Sequence, residues 1–166
     1  MSSPLEVWLV GKGPSIQGYD WQDHEHPRVC INETVFVVPS PDAAIAIDYD
    51  VLDKYKEAKL KVLVYKKNTH QQYTFANEYV YFFKDITISR HATAPIAIEL
   101  LYNLGARIIH FVGFDSMDGE TDYAASIVAM KAQGKNKDGY KRINIEIMKV
   151  IDQLGVTPIW EHKKVH

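Results

Sequence analysis

One cysteine is all the chain carries in 166 residues, so Cys30 has no intrachain partner and no internal disulfide is expected. It lies in the apolar run "RVCIN" and reads as a buried thiol kept reduced. No apolar run nears the ~18 residues that span a bilayer. The start, "MSSPLEVWLVGKG", lacks the layout of a secretory signal. The expected setting is cytoplasmic, with no membrane. An excess of one charge is missing too: 19 Lys and Arg stand against 21 Asp and Glu, for a net charge of -2. That argues against a protein held on nucleic acid by bulk charge, and nucleic acid is not an expected partner. Metal spacing is absent among His24, His26, His162 and His166, which lie in polar or terminal segments. There is no Gly-x-Ser-x-Gly elbow and no Cys/His pair of nucleophilic type.

What is present is rhythm. Hydrophobic residues make up 46% of the chain, ordinary for a globular protein, and the length suits one domain spanning residues 1–166. "VWLV" (7–10), "RVCIN" (28–32), "AIAID" (44–48) and "KVLVYK" (61–66) read as short buried strands. "TFANEYVYFFKDITIS" (74–89) is rich in aromatic and β-branched residues, as in one or two strands. "YDVLDKYKEA" is helical. So is "APIAIELLYNLGA", where Ile96, Ala97, Leu100, Leu101 and Leu104 fall at helical spacing and Gly105 is a good stop. "RIIHFVGFD" (107–115) is a buried strand, residues 140–154 a helix stopped by Gly155, and "VTPIWEH" a last strand. The polar, glycine-containing segment 130–142 reads as a mobile loop. Strands and helices alternating in this way imply an α/β fold with a doubly wound, mostly parallel sheet flanked by helices.

Ligands in open α/β sheets bind at the carboxyl ends of strands. Four such ends stand out: Gly11–Ser15, Asn32–Glu33, Asp48 and Gly113–Asp115. Gly11 and Gly13 lack a Cβ, so the backbone there could approach an anion closely. Pro14 suits the first position of a helical turn whose amides add positive potential, and Ser15 adds a hydroxyl. A plain strand-to-helix turn explains the same residues. The third glycine of the dinucleotide fingerprint is absent, although Glu33 lies about 20 residues on, where a ribose-binding acid would sit. Nor is this a Walker loop: Lys12 stands between the glycines and no Gly-Lys-Ser/Thr follows. Lys12 could pair with a phosphate or be solvated. Asn32 could bond a base or ribose hydroxyl, or its own turn. Asp115, Asp118, Glu120 and Asp122 are dense enough to hold Mg2+ beside a pyrophosphate, or are simply solvated. His91 opens a helix near the cleft, as a reactive group or a cap. His110, inside an apolar strand, reads as a satisfied core histidine.

Taken in order, these pieces resemble a group of Rossmann-like proteins that includes bacterial lipooligosaccharide sialyltransferases and hydroxymethylpterin pyrophosphokinase-like proteins. Small phage and prophage proteins share the layout. "WLVGKGPSI" is similar to their opening Gly-Asn-Gly-Pro-Ser-Leu segment. "RVCINET" and "AIAID" resemble their second and third strands. "ATAPIAIELLYNLGARIIHFVGFD" resembles their Ser-Ser-Gly helix and the strand after it. The likeness runs over most of residues 6–115. In the sialyltransferases these loops hold a cytidine nucleotide carrying the sugar. The resemblance implies that Gly11, Gly13, Pro14 and Ser15 line phosphate or ribose. It implies nucleotide contacts for Asn32 and Asp48, phosphate-facing amides at Thr93 and Ala94, and a last loop at Gly113 and Asp115. Three departures stand out. Lys12 replaces asparagine. Ala-Thr-Ala replaces Ser-Ser-Gly. The segment before the last helix has no histidine where the sialyltransferases place a catalytic one.

The resemblance implies a nucleotide-dependent, glycosyltransferase-like transferase acting on a small-molecule nucleotide sugar, with displacement at the anomeric carbon. Asp115 or His91 would be its base. No resident cofactor is expected. An Mg2+-dependent pyrophosphokinase and a non-catalytic nucleotide-sequestering module stay open as alternatives. Exposed sheet edges and "YVYFF" leave homo-oligomerisation open.

Overall fold

The computed structural model describes residues 5–21, 25–58, 63–65, 80–82, 86–89, 92–118, 123–128 and 137–161. Among the described residues seven strands form one sheet: β1 (Leu5–Val10), β2 (Arg28–Ile31), β3 (Ala43–Ile45), β4 (Leu63–Tyr65), β5 (Val80–Phe82), β6 (Ala106–Val112) and β7 (Thr157–Trp160). Their order is β5-β4-β3-β2-β1-β6-β7, and every neighbouring pair is parallel. The chain steps outward from β1 to β5, then returns to lay β6 on the other side of β1. That reversal opens a crevice beyond the carboxyl ends of β1 and β6. The α/β class expected from the strand–helix rhythm is the class observed, Rossmann-like, with the sheet parallel throughout.

A strand buried on both faces reads as continuously apolar, and β1 shows why. Val7 and Leu9 point to one face and join Ile96, Ala97, Leu100 and Leu101 of α2 (Thr93–Asn103) and Ile147, Val150 and Ile151 of α4 (Lys137–Leu154). Trp8 and Val10 point to the other face, with Val51, Leu52 and Tyr55 of α1 (Tyr49–Ala58) and Ile127 of α3 (Ala125–Val128). Among the described residues no helix is long and apolar enough to cross a membrane.

Some boundaries differ from the expected ones. "AIAID" pairs only as far as Ile45; the carbonyl of Asp48 already accepts the Leu52 amide at 3.0 Å and belongs to the start of α1. Asn32 does not end a strand. It begins a 3-10 turn over Asn32–Phe36 and takes the left-handed φ of 54°, which Asn tolerates better than most residues. In residues 74–89, β5 is Val80–Phe82, residues 86–89 are not strand, and the others lie outside the described residues. The helix expected from Tyr140 begins earlier, at Lys137, inside the segment 130–142 also read as a loop. An apolar stripe at Tyr140, Ile143, Ile147, Val150, Ile151 and Leu154 carries that helix, and its first member, Tyr140, lies within the segment read as polar. The rest of 130–136 lies outside the described residues.

Candidate functional site

The glycines at the reversal serve a different purpose from the one expected. A Cβ on Gly11 would stand 2.6 Å from the Gly113 carbonyl oxygen, and one on Gly13 would collide with Asp115 Oδ1 and stand 2.8 Å from Gly113 O. The tip of β1 and the tip of β6 are therefore interlocked backbone to backbone. Hydrogen bonds close the seam. Gly11 N donates to Val112 O at 2.7 Å and Gly13 N to Gly113 O at 2.7 Å. Ser15 donates to Asp115 Oδ1 through its amide at 3.0 Å and its hydroxyl at 2.7 Å, and that hydroxyl accepts the Gly113 amide at 2.9 Å. The anion held by this loop is the chain's own Asp115. The expected phosphate cradle of Gly11, Gly13 and Ser15 amides is corrected accordingly, and Pro14 has no amide hydrogen to offer. Asp115, expected as a base, acts here as a clasp.

Beside the seam lies a pocket of about 180 Å³ that opens to solvent, smaller than the ~300–1,000 Å³ of sites that enclose a drug-sized ligand. Gly11, Lys12, Asn32, Asp48, Thr93, Ala94 and Gly113 all line it. Gly13, Pro14, Ser15 and Asp115 are not among its lining residues. His91 lies outside the described residues. The parallel sheet explains the gathering, because all carboxyl ends point to one edge.

The start of α2 forms one wall. Its N-cap, Ala92, has no side chain able to cap, and among the described residues no side-chain hydrogen bond to this end is seen. The first helical bond shown runs from the Ile96 amide to Ala92 O at 3.4 Å. Pro95 removes a third donor, leaving the amides of Thr93 and Ala94 as the unclosed donors of the first turn. Glu99 fixes the approach to this helix. Buried in α2, it accepts the amides of Thr87 and Ile88, both at 2.8 Å.

Opposite stands a charged cluster. Lys12 Nζ lies 3.6 Å from Glu33 Oε1 and 4.1 Å from the centroid of the Tyr123 ring. Lys54 Nζ of α1 approaches Glu33 Oε2 at 3.5 Å. Burial pushes the Lys12 amine below its ordinary value of 10.5, and Glu33, then Asp48 and Asp50, oppose that shift. Asn32 Oδ1 and Glu33 Oε1 are buried with no hydrogen-bond donor among the described residues. Tyr55, fully buried, donates to Asn32 O at 2.6 Å and so sets the backbone that carries the Asn32 amide. The Ala124 amide bonds Lys12 O at 2.8 Å, which brings Tyr123 under the lysine. Among the described residues no three His, Cys, Asp or Glu side chains are grouped to hold a metal ion.

Tyr55, Tyr123 and Asn144 were not foreseen as parts of this site; Tyr123 and Asn144 line the pocket with Tyr140. Tyr140 and Asn144 do fall on one face of α4, four residues apart, which helical spacing makes visible. Nothing local marks Tyr55 or Tyr123. The chain has no significant match to a family model, a curated protein or a solved structure. Fold and site together define its class: an α/β protein with a Rossmann-like parallel sheet and a pocket of mixed polar and apolar lining where the strand order reverses.

Proposed function

We propose that this pocket binds a nucleotide, and that the protein is a nucleotide-dependent transferase for the group the nucleotide carries. One observation carries the binding: Lys12, the residues Thr93 and Ala94 that open α2, and Asn32, whose buried Oδ1 has no donor among the described residues, all line one crevice. In this reading Thr93 and Ala94 amides and the Lys12 ammonium hold phosphate oxygens, while Asn32 Oδ1 accepts a ribose or base donor. Transfer, with a nucleotide sugar as donor, rests on the likeness of the chain's loops to the sialyltransferases. The Lys12 ammonium would then stabilise a leaving phosphate.

Calorimetry with nucleoside monophosphates, diphosphates and nucleotide sugars tests it. One base class is expected to bind, and Lys12→Met to weaken that binding by about 10–100-fold, the loss of a charge-assisted hydrogen bond. If no nucleotide binds, or Lys12→Met binds as the parent does, the reading is overturned. Tight binding with no turnover of any nucleotide sugar would select the sequestering module, which the engagement of Asp115 with Ser15 favours.

A further inference from the structure

We propose that Glu33 is a positioning residue: the buried counter-ion that holds Lys12 charged and in place in the pocket wall. The inference rests on the nucleotide-binding reading for its functional meaning, though not for its geometry.

Glu33 follows β2 and Lys12 follows β1, so two adjacent strand tips bring them together. Their side chains are 2% and 12% exposed. An ammonium so withdrawn from water loses hydration that a nearby negative charge offsets. Glu33 is the near one. Asp48 and Asp50 act on the amine as further negative groups, while Lys54 shares the Glu33 carboxylate and Tyr55 and Tyr123 are the neutral titratable neighbours. Lys12 and Glu33 form an ion pair at 3.6 Å, while the amine also lies over the Tyr123 ring and its residue lines the pocket. An ammonium has three donors, so pairing with one carboxylate leaves others for a ligand.

The full chain tests this through two readouts. Lysines labelled at Cε report the titration of Lys12 by NMR without ligand, and the dissociation constants of AMP, GMP, CMP and UMP are followed against pH. In Glu33→Gln the Lys12 midpoint is expected to fall by about one pH unit or more. Nucleotide affinity should begin to drop at a correspondingly lower pH while staying equal or tighter at acid pH. An unmoved midpoint overturns the proposal, as does tighter binding by Glu33→Gln at every pH, which would make Glu33 a mere repeller. Should Glu33→Gln not fold, Lys54→Met keeps the carboxylate and removes its competing cation. The Lys12 midpoint should then rise, and a fixed or lower one overturns the idea. If the parent binds none of the four nucleotides, the nucleotide reading fails while the NMR titration still decides the part of Glu33.

Discussion

Gly13 and Asp115 occupy each other's space: the hydrogen on Gly13 that any other residue would replace with a Cβ points at the Asp115 carboxylate oxygen. The loop read as a cradle for a foreign anion is already closed around a domestic one. Gly13→Ala should therefore act on stability before it acts on any ligand. The backbone oxygen of Gly113 and the amide of Asp115, at 2.8 and 2.9 Å from the added carbon, have no flexible end to yield. A loss of about 1–3 kcal/mol is expected, as for overpacked interiors, read by urea unfolding with no ligand present. Gly113→Ala should cost more, because a φ of 78° adds backbone strain to its collision with Gly11 O.

Ser15→Ala removes a donor to Asp115 and, among the described residues, the acceptor of the Gly113 amide. Leaving that buried amide unmet should cost about 1–3 kcal/mol. Ser15→Thr, which keeps the hydroxyl, should recover part of it. Equal stability of Ser15→Ala and the parent would refute the clasp.

Away from the pocket, His110 predicts a pH dependence. Its Nδ1 lies 2.7 Å from Glu161 Oε1 and its Nε2 2.8 Å from Glu6 Oε2. Carboxylates only accept, so satisfying both requires the doubly protonated ring. Burial opposes charging, but the hydrogen bonds and charges of Glu161 and Glu6 outweigh it and raise the pKa above 6.5. With a raised folded-state value, the stabilisation is complete below the unfolded value and is lost as pH climbs through the folded one. Stability should thus fall as pH rises beyond the ordinary histidine value of about 6.5. His110→Gln should be less stable at acid pH and show a flatter profile. A parent whose unfolding midpoint is constant over that range would contradict the assignment. His26 shares Glu6 Oε2 at 3.1 Å, so His26→Gln provides the control for its contribution.

Cys30 is fully buried, and burial pushes its thiol up to about 12. A disulfide reagent should leave the native protein unmodified and label one thiol per chain on unfolding. Rapid native labelling would mean that β2 opens locally.

Much of this architecture is written locally. "VWLV" is apolar throughout because β1 is covered on both faces, and Gly105 and Gly155 mark helix ends through φ values of 109° and 73°. The gathering of Lys12, Asn32, Asp48, Thr93, Ala94 and Gly113 at one edge follows from parallel strands, which the strand–helix rhythm implies. The role of Gly11 and Gly13 does not follow. A glycine placed to admit a phosphate and one placed to admit another loop leave the same letters, and only the position of Gly113 separates them. The Lys12–Glu33 and Tyr55–Asn32 contacts are likewise invisible, because they join elements whose lateral order no local pattern encodes.

The seam between β1 and β6 also has a kinetic meaning. Ser15 and Asp115 are 100 residues apart in the chain, and Ser15 and Gly113 are 98 apart. Bringing such distant partners together carries a large loop-closure entropy before any contact rewards it. That cost predicts that the two tips dock late in assembly, after the intervening strands have lined up. Damage to it should then quicken the escape from the native state far more than it slows arrival there.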